Sequence, residues 1–119
     1  MATVLVVDDD DAIRAFVVEA LADEGYAVRA ARDGAEALAS LDAARPCAIL
    51  LDMRMPGMDG WAFAAAYRAQ ADRPAPLVCM TAAADAGPRA RAIAAAATLP
   101  KPFDLDDLLA TVGRFCPLG

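Results

Sequence analysis

The sequence predicts one α/β domain built on a doubly wound parallel sheet, and three observations support this fold class. Apolar runs of strand length alternate with helical patterns along the whole chain. The runs at residues 4–7 and 48–51 are continuously apolar, which is typical of strands buried on both faces of a parallel sheet. The length of 119 residues fits one compact unit, so we assign residues 1–119 to a single domain.

The first half of the chain divides into two strand–helix pairs. The strand at residues 4–7 stops at a run of four aspartates, and a helix follows that ends at Gly25. Residues 26–30 form a short predicted strand, and the segment 33–36 (DGAE) resembles a capping box that begins the second helix. The predicted inward-facing residues are Ile13, Phe16, Val17, Ala20 and Leu21 in the first helix, and Ala37, Leu38 and Leu41 in the second.

The second half contains three more pairs. The strand at residues 48–51 ends at Asp52, and a loop with Pro56, Gly57 and Gly60 leads to a helix through residues 61–67. A strand at residues 77–80 precedes an alanine-rich helix that begins at about Arg89, and a short strand lies around residues 98–99. Asp104 caps a last helix, whose predicted inward face is Leu105, Leu108, Leu109, Val112 and Phe115.

Five strand–helix pairs in strict alternation predict helices on both faces of the sheet, a three-layer α/β/α arrangement. Right-handed crossovers are the strong default for parallel strands. At this size the expected topology is flavodoxin-like, with strand order 2-1-3-4-5 and a functional site at the carboxyl ends of the strands.

The composition of the chain argues against nucleic-acid and membrane partners. The chain is 59% hydrophobic and 24% charged, so it can bury a core, and its net charge of −6 argues against nucleic acid as a direct partner. No segment resembles a signal peptide or reaches the ~20 apolar residues of a membrane span, so a cytoplasmic location without membrane contact is expected. Cys47, Cys79 and Cys116 are widely spaced and odd in number, which favours three free thiols in a reducing cytosol.

Polar side chains follow four of the predicted strands at the point where each strand ends. Asp8 and Asp9 follow the first strand, Asp52 the third, Thr81 the fourth and Lys101 the fifth. Because these ends lie along one edge of an open α/β sheet, the five side chains should share one pocket. Each is unremarkable alone, since aspartates before a helix usually cap it, and Asp10 and Asp11 are expected to do only that.

The expected pocket predicts phosphoryl chemistry. Carboxylates held close together repel one another unless a cation joins them, and a site with oxygen ligands and water selects Mg²⁺. The cation and Lys101 would neutralise a phosphoryl group, and a carboxylate can attack phosphorus to form an acyl phosphate. The sequence contains no histidine, so any phosphohistidine must come from a partner.

Over nearly its whole length the chain resembles the receiver domains of two-component response regulators, in the CheY-like superfamily. The matching segments are residues 4–10 (VLVVDDD), 50–60 (LLDMRMPGMDG), 81–82 (TA) and 99–103 (LPKPF). The resemblance implies that Asp52 is the phosphoacceptor and that the Lys101–Pro102 bond is cis. It implies Mg²⁺ ligation by Asp9, Asp52 and the carbonyl of Arg54, with Asp8 acting through water. The implied phosphoryl contacts are the side chains of Thr81 and Lys101 and the backbone amides of Arg54 and Ala82.

The resemblance also implies the partners. The phosphoryl donor would be a sensor histidine kinase or a histidine phosphotransfer protein, and phosphorylation would switch docking to a downstream protein. The domain would not be an enzyme with a separate substrate, since it catalyses its own phosphorylation and its own slow dephosphorylation. The kinase, the downstream target, the phosphorylated lifetime, the oligomeric state and any attachment to a longer protein are left open by the sequence.

Two departures from the family pattern keep alternatives open. Thr98 occupies the position of the usual switch aromatic, and residues 94–97 are four alanines where Gly-Ala is common. These changes suggest, as an alternative, a receiver-like docking module whose phosphorylation-driven output is atypical or absent. A phosphohydrolase of the haloacid-dehalogenase type is a third possibility, since Asp8 and Asp10 fit its Asp-x-Asp pattern, but the chain has no room for a capping domain.

Overall fold

A computed structural model describes residues 2–41, 45–55 and 57–118, except for the side chain of Ala83. Pro56, assigned above to a loop, falls outside these residues. The strands are β1 (Thr3–Val7), β2 (Ala27–Ala31), β3 (Ala48–Asp52), β4 (Leu77–Ala82) and β5 (Ala97–Lys101). The helices are α1 (Asp11–Glu24), α2 (Gly34–Ser40), α3 (Gly60–Gln70), α4 (Ala86–Ala92) and α5 (Leu105–Phe115).

The five strands form one parallel sheet in the order β2-β1-β3-β4-β5, which confirms the predicted topology. Val7 lies opposite Leu51, and Asp52 lies opposite Met80. On the next strand pair, Thr81 lies opposite Pro100. This register aligns the carboxyl ends of four strands along one edge. Among the described residues, every helix is too short or too polar to span a bilayer.

Side chains on alternate strand positions enter two separate cores, which confirms the three-layer arrangement. Helices α1 and α5 cover one face and contribute Val17, Leu21, Leu108 and Val112. The other face is covered by α2, α3 and α4, and its core includes Ala37, Phe63, Ala64, Tyr67 and, just after α4, Ile93.

Two residues predicted to face inward do not. Phe16 is 43% exposed and Leu105 is 45% exposed. Both border the same cleft between α1 and α5, and the Phe16 ring lies 6.4 Å from that of Phe103. The apolar stripes of these helices are wider than the arc that meets the sheet, so their outer members remain at the margin.

Helix ends follow the predicted capping chemistry with one exception. The side chain of Asp10 accepts from the N–H of Ile13 at 3.0 Å, and Gly25 ends α1 with φ of 106°, a left-handed conformation that favours glycine. Asp33 caps α2, but Glu36 accepts from the N–H of Arg32 rather than from that of Asp33. The predicted capping box at residues 33–36 is therefore only half formed. A complete box joins Asp104 and Asp107 at the start of α5.

The predicted start of the fourth helix at Arg89 is wrong, because a 3₁₀ turn at Ala83–Asp85 leads directly into α4. The alanines that follow α4 are not helical: Ala94 adopts φ of 51°. The guanidinium of Arg68 on α3 donates to the carbonyls of Ile93 and Ala94. This tertiary contact holds the end of α4 and overrides the high helix propensity of alanine.

The expectation of three free thiols is also wrong. Cys47 and Cys116 form a disulfide, with their Cα atoms 5.5 Å apart, and Cys79 is a buried free cysteine. Cys47 lies just before β3 and Cys116 just after α5, so the topology brings them together across 69 positions of sequence. Burial raises the pKa of the Cys79 thiol to about 11, which keeps this side chain protonated in the core.

Gly60 fixes the approach of α3 to the strand-end loop, and we expect its replacement by alanine to destabilise the fold. A Cβ atom there would lie 2.8 Å from the Cα of Met53, a backbone atom that cannot simply rotate away. We predict a loss of about 1–3 kcal/mol in the free energy of unfolding, measured by urea denaturation. Gly113→Ala is the matched control: nothing lies within 4 Å of its Cβ position, so a gain of about 0.5–1 kcal/mol is expected for a helix interior. Equal effects of the two substitutions would contradict this account.

Candidate functional site

The carboxyl edge of the sheet brings the five sequence-predicted side chains to one cavity. Asp8 follows β1 directly, Asp52 ends β3, Thr81 lies near the end of β4 and Lys101 ends β5. The open cavity has a volume of about 250 Å³. Its lining residues are Asp8, Asp9, Asp10, Asp52, Arg54, Thr81, Ala82, Asp85, Arg89 and Lys101.

Lys101 connects the two buried carboxylates. Its Nζ atom donates to Oδ2 of Asp8 at 2.9 Å and lies 3.7 Å from Oδ1 of Asp52. Asp8 is fully buried, and its Oδ1 atom also accepts from the N–H of Asp10. Lys101 is the only lysine of the sequence, so its single ammonium group is placed at the site. The peptide bond that follows it is cis, as the resemblance implied.

Asp52 is held in a setting that opposes its ionisation. The residue is 6% exposed, and its pKa is raised to about 7, first by burial and then by the neighbouring charge of Asp8. Lys101 and the N–H of Arg54, which donates to Oδ1 at 3.3 Å, act in the opposite direction. The surrounding positive charge is therefore too small to offset the burial of the ionised Asp52 carboxylate, and a bound cation would stabilise that ionised form.

The donor set fits a hard cation. Oxygen atoms of Asp8, Asp9 and Asp52 all lie within 4.8 Å of one another, and Asp9 is exposed to solvent while the other two are buried. Carboxylate oxygens with access to water match the requirements of Mg²⁺. The structure thus brings together the three acidic residues that the sequence singled out. Whether the carbonyl of Arg54 completes the ligand set, as the resemblance implies, stays a prediction.

Thr81 is buried beside an arginine that sequence reasoning missed. The Nη1 atom of Arg89 donates to the Thr81 hydroxyl oxygen at 2.5 Å. Arg89 also pairs with Asp85 at 3.4 Å, and its guanidinium carbon lies 5.7 Å from the centre of the Trp61 ring. Arg89 is one of ten arginines in the sequence and lies in an alanine-rich segment, and no pattern distinguishes it from the others. The sequence shows only its i, i+4 spacing from Asp85.

A second arginine supports the site from outside the cavity. The guanidinium of Arg14 on α1 donates to the backbone carbonyl of Asp8 at 2.8 Å and pairs with Asp11. This contact anchors the chain as it leaves β1, where Asp8 and Asp9 must turn toward the cavity. Asp10 caps α1 as predicted, but it also lines the cavity, and Asp11 pairs with Arg14 instead of capping the helix.

The comparison with known proteins agrees with this geometry. Residues 4–113 match the family profile of the response regulator receiver domain. The response regulator MprA of Mycobacterium avium (strain 104) is 40% identical over 109 residues, which cover 90% of this chain and 47% of that protein. The chain therefore spans about half the length of the curated relatives it matches.

Solved structures show the same fold. The chemotaxis response regulator CheY4 of Vibrio cholerae superposes with a TM-score of 0.86 at 39% identity, covering 97% of this chain and 98% of that one. The receiver domain of NtrX from Brucella abortus superposes with a TM-score of 0.84 at 32% identity, covering 93% of this chain and 95% of the other.

Proposed function

The chain belongs to the response regulator receiver family of two-component signalling, and on that premise we propose that it takes a phosphoryl group onto Asp52 in a Mg²⁺-dependent reaction. The donor would be the phosphohistidine of a sensor kinase or a histidine phosphotransfer protein. Phosphorylation would switch docking to a downstream protein, and the domain would slowly remove its own phosphoryl group. We place this function in the cytoplasm, and we do not regard the domain as an enzyme with a separate substrate.

One observation supports this proposal above the others: the only lysine of the sequence joins two buried aspartates at a cavity that is rich in carboxylates. A purely structural ion pair would need one carboxylate for one ammonium group, whereas the carboxylates of Asp8, Asp9 and Asp52 lie close together here. The repulsion among these carboxylates destabilises the folded protein unless a cation occupies the site. A bound Mg²⁺ would supply positive charge next to the reacting oxygens.

The residues of the chain can then perform the transfer. An oxygen of ionised Asp52 attacks phosphorus, a P–O bond forms, and the P–N bond to the donor histidine breaks with its electron pair leaving on nitrogen. Lys101 is placed to neutralise the phosphoryl oxygens, and Thr81 can donate its hydroxyl proton to one of them. The N–H of Arg54, which already donates to Asp52, and the N–H of Ala82 are the proposed backbone donors.

We predict that Lys101→Ala slows phosphorylation on the order of 100-fold, because it removes the only lysine ammonium group from the transition state. Phosphoramidate is a suitable donor, since its P–N bond resembles that of phosphohistidine. Adduct formation is measured by intact mass in Mg²⁺ buffer, and hydroxylamine treatment identifies the acyl phosphate by removing it.

Arg91→Ala is the matched control for this measurement, because it removes an exposed cation from α4 outside the cavity. It should react at the wild-type rate. An undiminished rate in Lys101→Ala would contradict the assigned role of the lysine.

A docking module with an output independent of phosphorylation is the second candidate, and Thr98 is the observation that favours it. This residue lies half-buried on β5, opposite Cys79, where the family usually has an aromatic switch. Backbone amide spectra recorded before and after phosphorylation distinguish the two. Changes that reach α4, β5 and α5 support the switch, and changes confined to the cavity support the docking module.

A further inference from the structure

Arg89 is largely removed from solvent, which its position on the helix alone does not explain. Its side chain is 12% exposed, whereas Arg91, two residues later on α4, is exposed. The guanidinium is folded back over the cavity edge, between the Thr81 hydroxyl and the face of Trp61. Asp85, one helical turn earlier, pairs with its Nη2 atom and fixes this direction.

The contact with Thr81 determines what the hydroxyl can do. A threonine hydroxyl has two acceptor lone pairs and one proton, and it rotates to suit its partners. Arg89 donates to the hydroxyl oxygen, so one lone pair is occupied by a charged donor. The proton must then point away from the guanidinium, and Thr81 and Arg89 both line the cavity that holds Asp52 and Lys101. A charged donor also polarises the O–H bond and strengthens it as a donor in turn.

We propose that Arg89 is a positioning residue for phosphoryl transfer, which acts through Thr81 by orienting and polarising its hydroxyl toward the phosphoryl group. The inference rests on the proposed function. Arg89 thus joins the three acidic residues, Thr81 and Lys101 at the site, paired with Asp85 and lying over the Trp61 ring. Arg89 does not itself contact Asp52 in this arrangement; its effect on the reaction passes through the hydroxyl.

A double-mutant cycle tests whether Arg89 acts on phosphoryl transfer through Thr81. The rate of adduct formation from acetyl phosphate and Mg²⁺ is measured for the wild type, Arg89→Gln, Thr81→Ala and the double variant. We expect each single substitution to slow the reaction about 5- to 20-fold, and the double variant to react within about twofold of Thr81→Ala. Arg89→Lys, which keeps a charged donor, should recover part of the loss, and Arg91→Gln should leave the rate unchanged.

Two results of the cycle would overturn the inference. One is a wild-type rate in Arg89→Gln. The other is an equal slowing by Arg89→Gln in the wild type and in the Thr81→Ala background, which would show that Arg89 acts on the reaction by another route.

A second measurement does not depend on phosphorylation. Three-bond couplings of the Thr81 side chain, measured by NMR without any phosphoryl donor, should report one rotamer in the wild type and rotamer averaging in Arg89→Gln. Unchanged couplings would overturn the positioning role. If the wild type forms no adduct at all, the proposed function fails, whereas averaging in Arg89→Gln still supports the orientation of Thr81 by Arg89.

Discussion

Asp52→Asn should raise the free energy of unfolding at about pH 8 in buffer without divalent metal. Folding raises the pKa of this carboxyl from 3.8 to about 7, and each unit corresponds to about 1.4 kcal/mol, so its ionised form costs the folded protein up to about 4 kcal/mol. Asparagine has nearly the same shape and no charge. It removes the repulsion from Asp8 and keeps an oxygen that can accept from the N–H of Arg54.

The sign of the pH dependence follows from linkage. Because the folded pKa lies above the unfolded one, the folded state binds more protons, and stability is lost as the pH rises from about 4 through about 7. The difference between Asp52→Asn and the wild type should therefore be largest at about pH 8 and should shrink toward about pH 5. Urea denaturation at these two pH values measures it.

Mg²⁺ provides the control for this prediction. Mg²⁺ should stabilise the wild type at about pH 8, because a ligand that binds only the folded state raises the free energy of unfolding. Mg²⁺ should stabilise Asp52→Asn less. A wild type whose stability rises between pH 5 and pH 8 relative to the variant would contradict the electrostatic description of the site.

Reduction of the disulfide should lower the free energy of unfolding by about 4 kcal/mol, the value expected when a cross-link closes a loop of this length. Cys47 and Cys116 are 69 positions apart, so their bond ties the start of β3 to the end of α5 and restricts the unfolded chain strongly. Tyr26 adds to this cluster by donating its hydroxyl to the carbonyl of Cys116 at 2.7 Å. The cluster lies at the opposite end of the sheet from the cavity.

The prediction is tested by urea denaturation with and without dithiothreitol, beside the double variant Cys47→Ser, Cys116→Ser. The reductant should lower the midpoint of the wild type and leave that of the double variant unchanged. Equal midpoints for the oxidised and reduced wild type would contradict it. Because the bond lies far from Asp52, phosphorylation should proceed in both forms.

The sheet was predictable because its signals are local. Continuous apolar runs at β1 and β3 mark strands buried on both faces, and the strict alternation with helices leaves few topologies. What could not be predicted depends on tertiary contacts. Arg68 binds the two carbonyls after α4, and that helix ends before the alanine run at residues 94–97, although local propensity favours its continuation.

The polar residues of the site were predictable for a similar reason, since a strand end is both a sequence feature and a position in space. Asp8, Asp52, Thr81 and Lys101 each interrupt or end an apolar run, and the parallel sheet aligns those ends. Arg89 reaches the cavity from the middle of a helix, where a charged residue normally indicates a solvated face. The two joined cysteines likewise have no local signal, because only the packing of α5 on one face of the sheet brings them together.

Acetyl phosphate can show whether Asp52 accepts a phosphoryl group with the help of Mg²⁺. The most direct test incubates the protein with acetyl phosphate, with and without Mg²⁺, and reads the intact mass beside Asp52→Asn. We expect one phosphoryl adduct that requires Mg²⁺ and is lost in the variant. An adduct that persists in Asp52→Asn, or the absence of any adduct in the wild type with Mg²⁺, would contradict it.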